Sequence, residues 1–263
     1  METPCKDLID THCHLDAAVF AGDHEAVHEQ ARRAGVTTMV VPGISCRGWW
    51  RLLDLCTRLV GCYPALGLHP LFLGDHCGEH LGELERLIAT HPVCAVGEIG
   101  LDFWDKEADS ESQGKLFADQ VAIAAQAKLP LILHVRKAHD QVLAMLRRLR
   151  FSHGGIVHSF SGSLRQAHRY AELGFCLGVS GTVTYERATR VRGVVAAMPL
   201  ADLVLETDAP DIAPAGCRGE RNSPANLPLV LEALSVIRSE SGADIGAATS
   251  ANARRLFGIG AID

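Results

Sequence analysis

Short apolar runs recur along the chain, each closing on polar or glycine-rich residues and each followed by a segment of helical periodicity. The runs cover residues 8–12, 37–41, 63–68, 93–97, 130–135, 155–158, 175–179 and 203–206. They are rich in Val, Ile and Leu and show little alternation. Parallel strands covered on both faces have this pattern, because neither face meets water. Between them, residues 24–33, 79–89, 113–127, 139–150, 164–173 and 228–238 place apolar side chains at helical spacing. Gly35 and Gly174 stand where the first and fifth of these helices should stop. Strand and helix alternating in this way predict an α/β fold, a TIM-type (β/α)8 barrel. A doubly wound open sheet is the rival, and its dinucleotide-binding form is weakened because no GxGxxG follows a strand.

The length of 263 residues suits one such barrel, and residues 1–263 are read as a single domain. The longest irregular stretch, residues 209–226, follows the last strand and is expected to shape access to the catalytic face.

Polar residues at the ends of the runs carry the candidate chemistry. His12 and His14 close the first, Glu98 the fourth, His134 the fifth, His158 the sixth and Asp208 the eighth. A barrel gathers these ends at one rim, so residues remote in sequence converge. His12 and His14 are two apart and project the same way from extended backbone. One histidine at a strand end is most often a satisfied or exposed residue. Six ligand-type residues at five strand ends are a metal centre. Imidazole with carboxylate suits Zn²⁺, Mn²⁺ or Fe²⁺, and Mg²⁺ where oxygens dominate. Two divalent ions against Glu98 and Asp208 leave a net positive site, where a bridging water would lose a proton and supply hydroxide. In that scheme Glu98 bridges the ions, and Asp208 binds one ion and orients or deprotonates the water.

Charge and cysteine content narrow the setting. The formal net charge of −6 repels nucleic acid and anionic membrane as a whole, so an anionic substrate must be drawn by a local positive centre. The nine cysteines are scattered with no CxxC pair, as in reduced cytoplasmic proteins. Charges in residues 1–7 interrupt any leader-like apolar stretch, and no apolar run is long enough to span a bilayer. A cytoplasmic protein without an obligate protein partner is expected.

Six motifs carry a resemblance: Ile9-Asp10-Thr11-His12-Cys13-His14, Gly67-Leu68-His69-Pro70, Gly97-Glu98-Ile99-Gly100-Leu101-Asp102, Leu129-Pro130-Leu131-Ile132-Leu133-His134, Val157-His158-Ser159-Phe160-Ser161-Gly162-Ser163 and Leu205-Glu206-Thr207-Asp208-Ala209-Pro210. Together they resemble the TatD-type metal-dependent hydrolases, and within that family the YjjV-like branch, from residue 7 to about residue 258. The resemblance implies an amidohydrolase-like barrel and two divalent ions (Mg, Mn or Zn). It implies His12, His14 and Asp208 at one ion, His134 and His158 at the other, and Glu98 between them. It implies deoxyribonuclease activity, a 3'-5' exonuclease acting on single-stranded DNA ends, with Asp208 and Glu98 as catalytic residues. His69 matches a family histidine near the substrate phosphate.

Arg136, Ser159 and Arg221 are further candidates for binding substrate. Arg136 follows His134 by two residues, Ser159 precedes a helix N-terminus, and Arg221 either folds over substrate or ties down the long loop. Phe103 and Trp104 offer stacking surface at the same rim. Trp49 and Trp50, between Arg47 and Arg51, read as a helix start with one buried indole rather than a nucleic-acid patch. Cys13 should point away from its histidine neighbours. Hydrolysis of an amide, ester or lactone by the same centre is the alternative, and a non-catalytic metal-dependent nucleic-acid binder the remote one.

Overall fold

A computed structural model describes residues 7–105 and 107–260. The charged N-terminal stretch before residue 7 and Cys5 lie outside the described residues.

Eight parallel strands form one sheet in sequential order. They are β1 (Leu8–Asp10), β2 (Val36–Pro42), β3 (Cys62–Leu66), β4 (Ala95–Asp102), β5 (Leu131–Arg136), β6 (Gly155–Val157), β7 (Phe175–Val179) and β8 (Leu203–Leu205). The helices are α1 (His24–Arg33), α2 (Cys46–Arg58), α3 (Gly78–Thr90), α4 (Ser110–Ala127), α5 (His139–Arg148), α6 (Leu164–Ala171), α7 (Thr189–Ala197), α8 (Leu227–Ile237) and α9 (Gly242–Phe257). The first and last strands meet through a seam built partly from side chains. Thr11 N–H and the Thr11 hydroxyl both donate to the Leu205 carbonyl at 3.0 Å. The buried Asp10 carboxylate accepts from Thr207 N–H at 2.9 Å and from the Thr207 hydroxyl at 2.5 Å. With that seam the sheet is a nearly closed (β/α)8 barrel.

Two apolar layers hold it. Each strand gives a residue to an inner cluster: Ile9, Val40, Ala65, Ala95, Ile132, Ile156, Cys176 and Val204. Ala253, Phe257 and Ile259, from α9 and its end, pack into the same cluster. A larger outer layer, including Trp49, Leu52, Phe117, Leu143 and Leu231, lies between strands and helices. Burial of these side chains is the main driving force for the fold.

Three expectations change. The fourth strand does not stop at residue 97 but runs to Asp102, with its register against β5 shifting between Val96 and Ile99. Ile99 and Leu101 are buried there. Gly100 lets the backbone approach the His134 carbonyl where any Cβ would collide. Glu98 is therefore inside β4, and Asp102 occupies its end. His12 and His158 lie just beyond β1 and β6 rather than within them. Helices α7 and α9 were not expected, and α2 was expected only as a start around Trp49; Trp49 is indeed buried and Trp50 exposed. Among the described residues, no helix is long and apolar enough to cross a membrane.

Candidate metal centre

All six expected donors converge at the C-terminal rim. His12 Nε2 and His14 Nε2 lie 3.3 Å apart. Glu98 Oε2 is 3.3 Å from the first and 3.4 Å from the second. Asp208 Oδ1 is 3.4 Å from His12 Nε2 and 3.8 Å from His14 Nε2. On the other side, Glu98 Oε1 lies 2.9 Å from His134 Nδ1 and 3.6 Å from His158 Nε2. Glu98 thus turns one oxygen to each half of the cluster.

The donor set fits divalent ions. A tetrahedral shell with bonds of about 2.0–2.1 Å needs donors about 3.3 Å apart, close to the spacing around His12. The Nε2 atoms of His12 and His14 converge with carboxylate oxygens of Glu98 and Asp208 on one point.

The remote ring nitrogens decide which lone pairs face inward. His14 Nδ1 donates to the Pro42 carbonyl at 3.2 Å. His158 Nδ1 donates to Glu206 Oε1 at 3.1 Å, and His134 Nε2 to Asp102 Oδ2 at 2.9 Å. In each ring the outer nitrogen keeps its proton, so the inner nitrogen is free to bind a cation. Among the described residues nothing bonds His12 Nδ1.

His69 is the reverse case. Its Nδ1 accepts from Leu71 N–H at 3.1 Å, so the neutral ring carries its proton on Nε2. That Nε2 lies 3.3 Å from Glu98 Oε1, within the same grouping as His134. Proximity alone would admit His69 to the ligand set, but its tautomer makes it a donor. Burial lowers its pKa despite Glu98, which keeps the ring neutral.

Sequence reasoning quoted Asp102 and Glu206 within motifs but gave them no role. Both are buried, and each holds a histidine. Glu206 also accepts from Ser159 N–H, and Gly178 provides its room: a Cβ at that position would collide with the Glu206 carboxylate.

Electrostatics bind the cluster to positive charge. Burial would strip the proton from His158, yet Asp208, Glu206 and Glu98 outweigh it and push the pKa up to about 10. Against the same desolvation, Glu98 and Asp208 push His14 up to about 9. His12, stacked on His158 with centroids 3.8 Å apart, stays neutral because burial and that neighbour both lower it. Burial lifts the Asp208 carboxyl to about 6, against the pull of His158 and His14. In the ion-free protein, protons on His14 and His158 therefore stand where cations bind. Divalent ions must displace them, so apparent affinity rises with pH until about 9 to 10. Calorimetric titration with Mn²⁺ or Zn²⁺ at pH 7.5, in buffers of differing ionisation enthalpy, is expected to count proton release; the number should fall above pH 10.

The other expected contacts divide. His69 lines a cleft of about 530 Å³ that opens onto the cluster. Arg136 and Ser159 line a second cleft of about 320 Å³ beyond His134 and His158. The Arg136 guanidinium lies over the exposed Trp104 ring at 4.0 Å, whereas Phe103 packs against the core. Arg221 is among the lining of neither cleft. It pairs with Asp23 at 2.6 and 3.1 Å and donates to the Val19 carbonyl at 2.8 Å, tying down the long loop. Cys13 is buried in the outer apolar layer, away from its histidine neighbours.

Barrel and donor cluster together define a metal-dependent hydrolase. Residues 9–258 match the family described as TatD related DNase. The uncharacterized metal-dependent hydrolase YjjV of Escherichia coli (strain K12) is 42% identical over 254 residues, covering 96% of this chain and 98% of that protein. The crystal structure of YjjV superposes with a TM-score of 0.94 at 41% identity, covering 98% of this chain and all of the other. The 3'-5' ssDNA/RNA exonuclease TatD of Erwinia billingiae (strain Eb661) is 33% identical, over 95% of this chain and 98% of its own. The chain belongs to the TatD family.

Proposed function

We propose that the protein is a phosphodiesterase that trims single-stranded DNA from its 3' end, using a dinuclear centre held by His12, His14, Glu98, His134, His158 and Asp208. The observation that carries this is the arrangement of Glu98. Its two oxygens face two separate pairs of histidines, and three of the four rings are turned inward by fixed partners on their outer nitrogens. The name of the Erwinia relative supports the choice of substrate.

Bound divalent ions would supply an activated water and offset charge on the phosphoryl oxygens. The residues do the rest. Asp208, beside His12 and His14, would accept a proton from the attacking water. His69 presents its Nε2–H as a hydrogen-bond donor for a phosphoryl oxygen. Arg136 and Ser159, which line the second cleft, would hold the chain beside the scissile bond. Asp102 and Glu206 keep His134 and His158 in their binding tautomers throughout.

The test is an end-labelled single-stranded DNA oligonucleotide. Protein stripped with chelator should be inactive, and Mg²⁺, Mn²⁺ or Zn²⁺ should restore stepwise shortening from the 3' end. No cleavage with any metal, in protein shown to hold its ions, would sink the nuclease reading and turn attention to amide and ester substrates.

A further inference from the structure

We infer that Arg47 and Arg51, on the first turns of α2, form the subsite for the phosphate next to the scissile one. The inference rests on the nuclease reading above and names how that site selects its substrate.

Both arginines line the larger cleft, the one that also contains His14, His69, Glu98 and Asp208. A ligand that reaches the donor cluster through this cleft therefore passes them. Their positions follow from α2 itself. Residues 47 and 51 are one helical turn apart, so their side chains lie on the same face. Trp49, between them, points the other way and is buried, with its indole N–H donating to the Gly67 carbonyl at 3.2 Å. That anchor turns the arginine face outward to the cleft.

The charges are available. Among the described residues no acidic group pairs with Arg47, and Arg51 has only a 3.9 Å approach to Asp16. Elsewhere on this surface arginines are commonly held at hydrogen-bond distance by a carboxylate, as Arg221 is by Asp23 and Arg86 by Glu83. Arg47 and Arg51 are the two arginines of this cleft lining, and beside its Asp16 and Asp211 they bring positive charge that a protein of net charge −6 lacks as a whole.

The cleft wall has a second character. Leu71 and Phe72 line it too, and both are solvent-exposed, Leu71 to 59% and Phe72 to 39%. Exposed apolar side chains in one cleft with two arginines match a nucleotide, which offers a flat base beside a phosphate. The cleft volume of about 530 Å³ is in the range that encloses a ligand of that size. One phosphate at the ions and the next at Arg47 and Arg51 would leave the intervening sugar and base beside Phe72 and Leu71.

The test compares two substrates in Mn²⁺-loaded protein. One is a single-stranded DNA oligonucleotide. The other is bis(p-nitrophenyl) phosphate, a diester with no neighbouring phosphate. Relative to wild type, Arg47→Ala and Arg51→Ala should each raise KM for the oligonucleotide about tenfold, the loss expected for one charge-assisted hydrogen bond. The double variant should also lower the slope of log KM against log salt by about 0.7, the share of one phosphate on a single strand. Kinetics on the model diester should not change in any variant. Arg33→Ala, on the exposed face of α1, controls for general charge loss. Equal KM and salt slope in wild type and double variant, with the oligonucleotide still cleaved, would overturn the subsite and leave the nuclease reading intact. A parallel loss on both substrates would also overturn it, assigning the arginines to the integrity of the centre. Cleavage of neither substrate by the wild type would remove the nuclease reading and the subsite together.

Discussion

Glu98→Gln is expected to lower hydrolysis about a thousandfold or more, and to reduce the metal content of the purified protein. The reason lies in what Glu98 touches. Its Oε2 meets His12 and His14 at 3.3 and 3.4 Å, while its Oε1 meets His134, His69 and His158 at 2.9, 3.3 and 3.6 Å. Burial would raise its pKa, but the surrounding histidines hold it well below the usual carboxylate range. Glutamine keeps the shape but removes the charge and turns one arm into a donor. An amide N–H aimed at either half of the cluster would oppose a cation there. Metal content by atomic emission and turnover on the oligonucleotide check the expectation. Full activity with full metal content would mean that the two halves of the cluster do not depend on a shared carboxylate.

Asp208→Asn should behave differently. The change is nearly isosteric, and its backbone ties are independent of the side chain: Asp208 N–H donates to the His12 carbonyl and its own carbonyl accepts from Asp211 N–H, both at 2.8 Å. Asparagine also tolerates the left-handed backbone at this position, φ 57°. The fold and the His134 half of the cluster should persist. Turnover should fall about a hundred- to ten-thousandfold, the range for losing a general base, with KM little changed. The pH profile adds the sign. An ionised Asp208 is required, so wild-type activity should decline as pH falls through the carboxyl's pKa, and the variant's residual activity should lack that limb. A variant with normal kcat would remove Asp208 from proton transfer.

The sequence reveals the donors because each follows an apolar run, and strand ends of a barrel meet at one rim. It reveals less of what holds them. Asp102 is four residues beyond Glu98 on β4, so alternation along a strand puts both on one face; Glu206 and Asp208 lie past the end of β8, where that rule no longer orients side chains. The spacing carries a signal for Asp102, whereas Glu206 stands in the apolar run itself and only its contact with His158 reveals its role. In the fourth strand Gly97 and Glu98 look like an end, yet Ile99 and Leu101 continue the buried pattern.

The unexpected helices lack a strong local signal. In α7, Gly193 and the β-branched Val191, Val194 and Val195 are weak helix formers, and burial of the last two holds the turn. In α9 the large apolar Ile245 and Phe257 stand twelve residues apart, and the buried face between them is made of Gly246, Thr249, Ser250, Asn252 and Ala253, small or polar residues that give no continuous apolar stripe. The position of Arg221 was beyond reach from sequence, since its partner Asp23 is 198 residues away. Arg47 and Arg51 were read as flanking a helix start, which is correct for the backbone. Only the packing of Trp49 reveals which way that helix turns its charges.

The central claim is a pair of ions sharing Glu98, and anomalous diffraction from crystals grown with Mn²⁺ or Zn²⁺ tests it most directly. The account predicts two anomalous peaks: one among His12, His14 and Asp208, the other between His134 and His158, with Glu98 touching both and His69 Nε2 bound to neither. A single peak, or a peak coordinated by His69 Nε2, would contradict it.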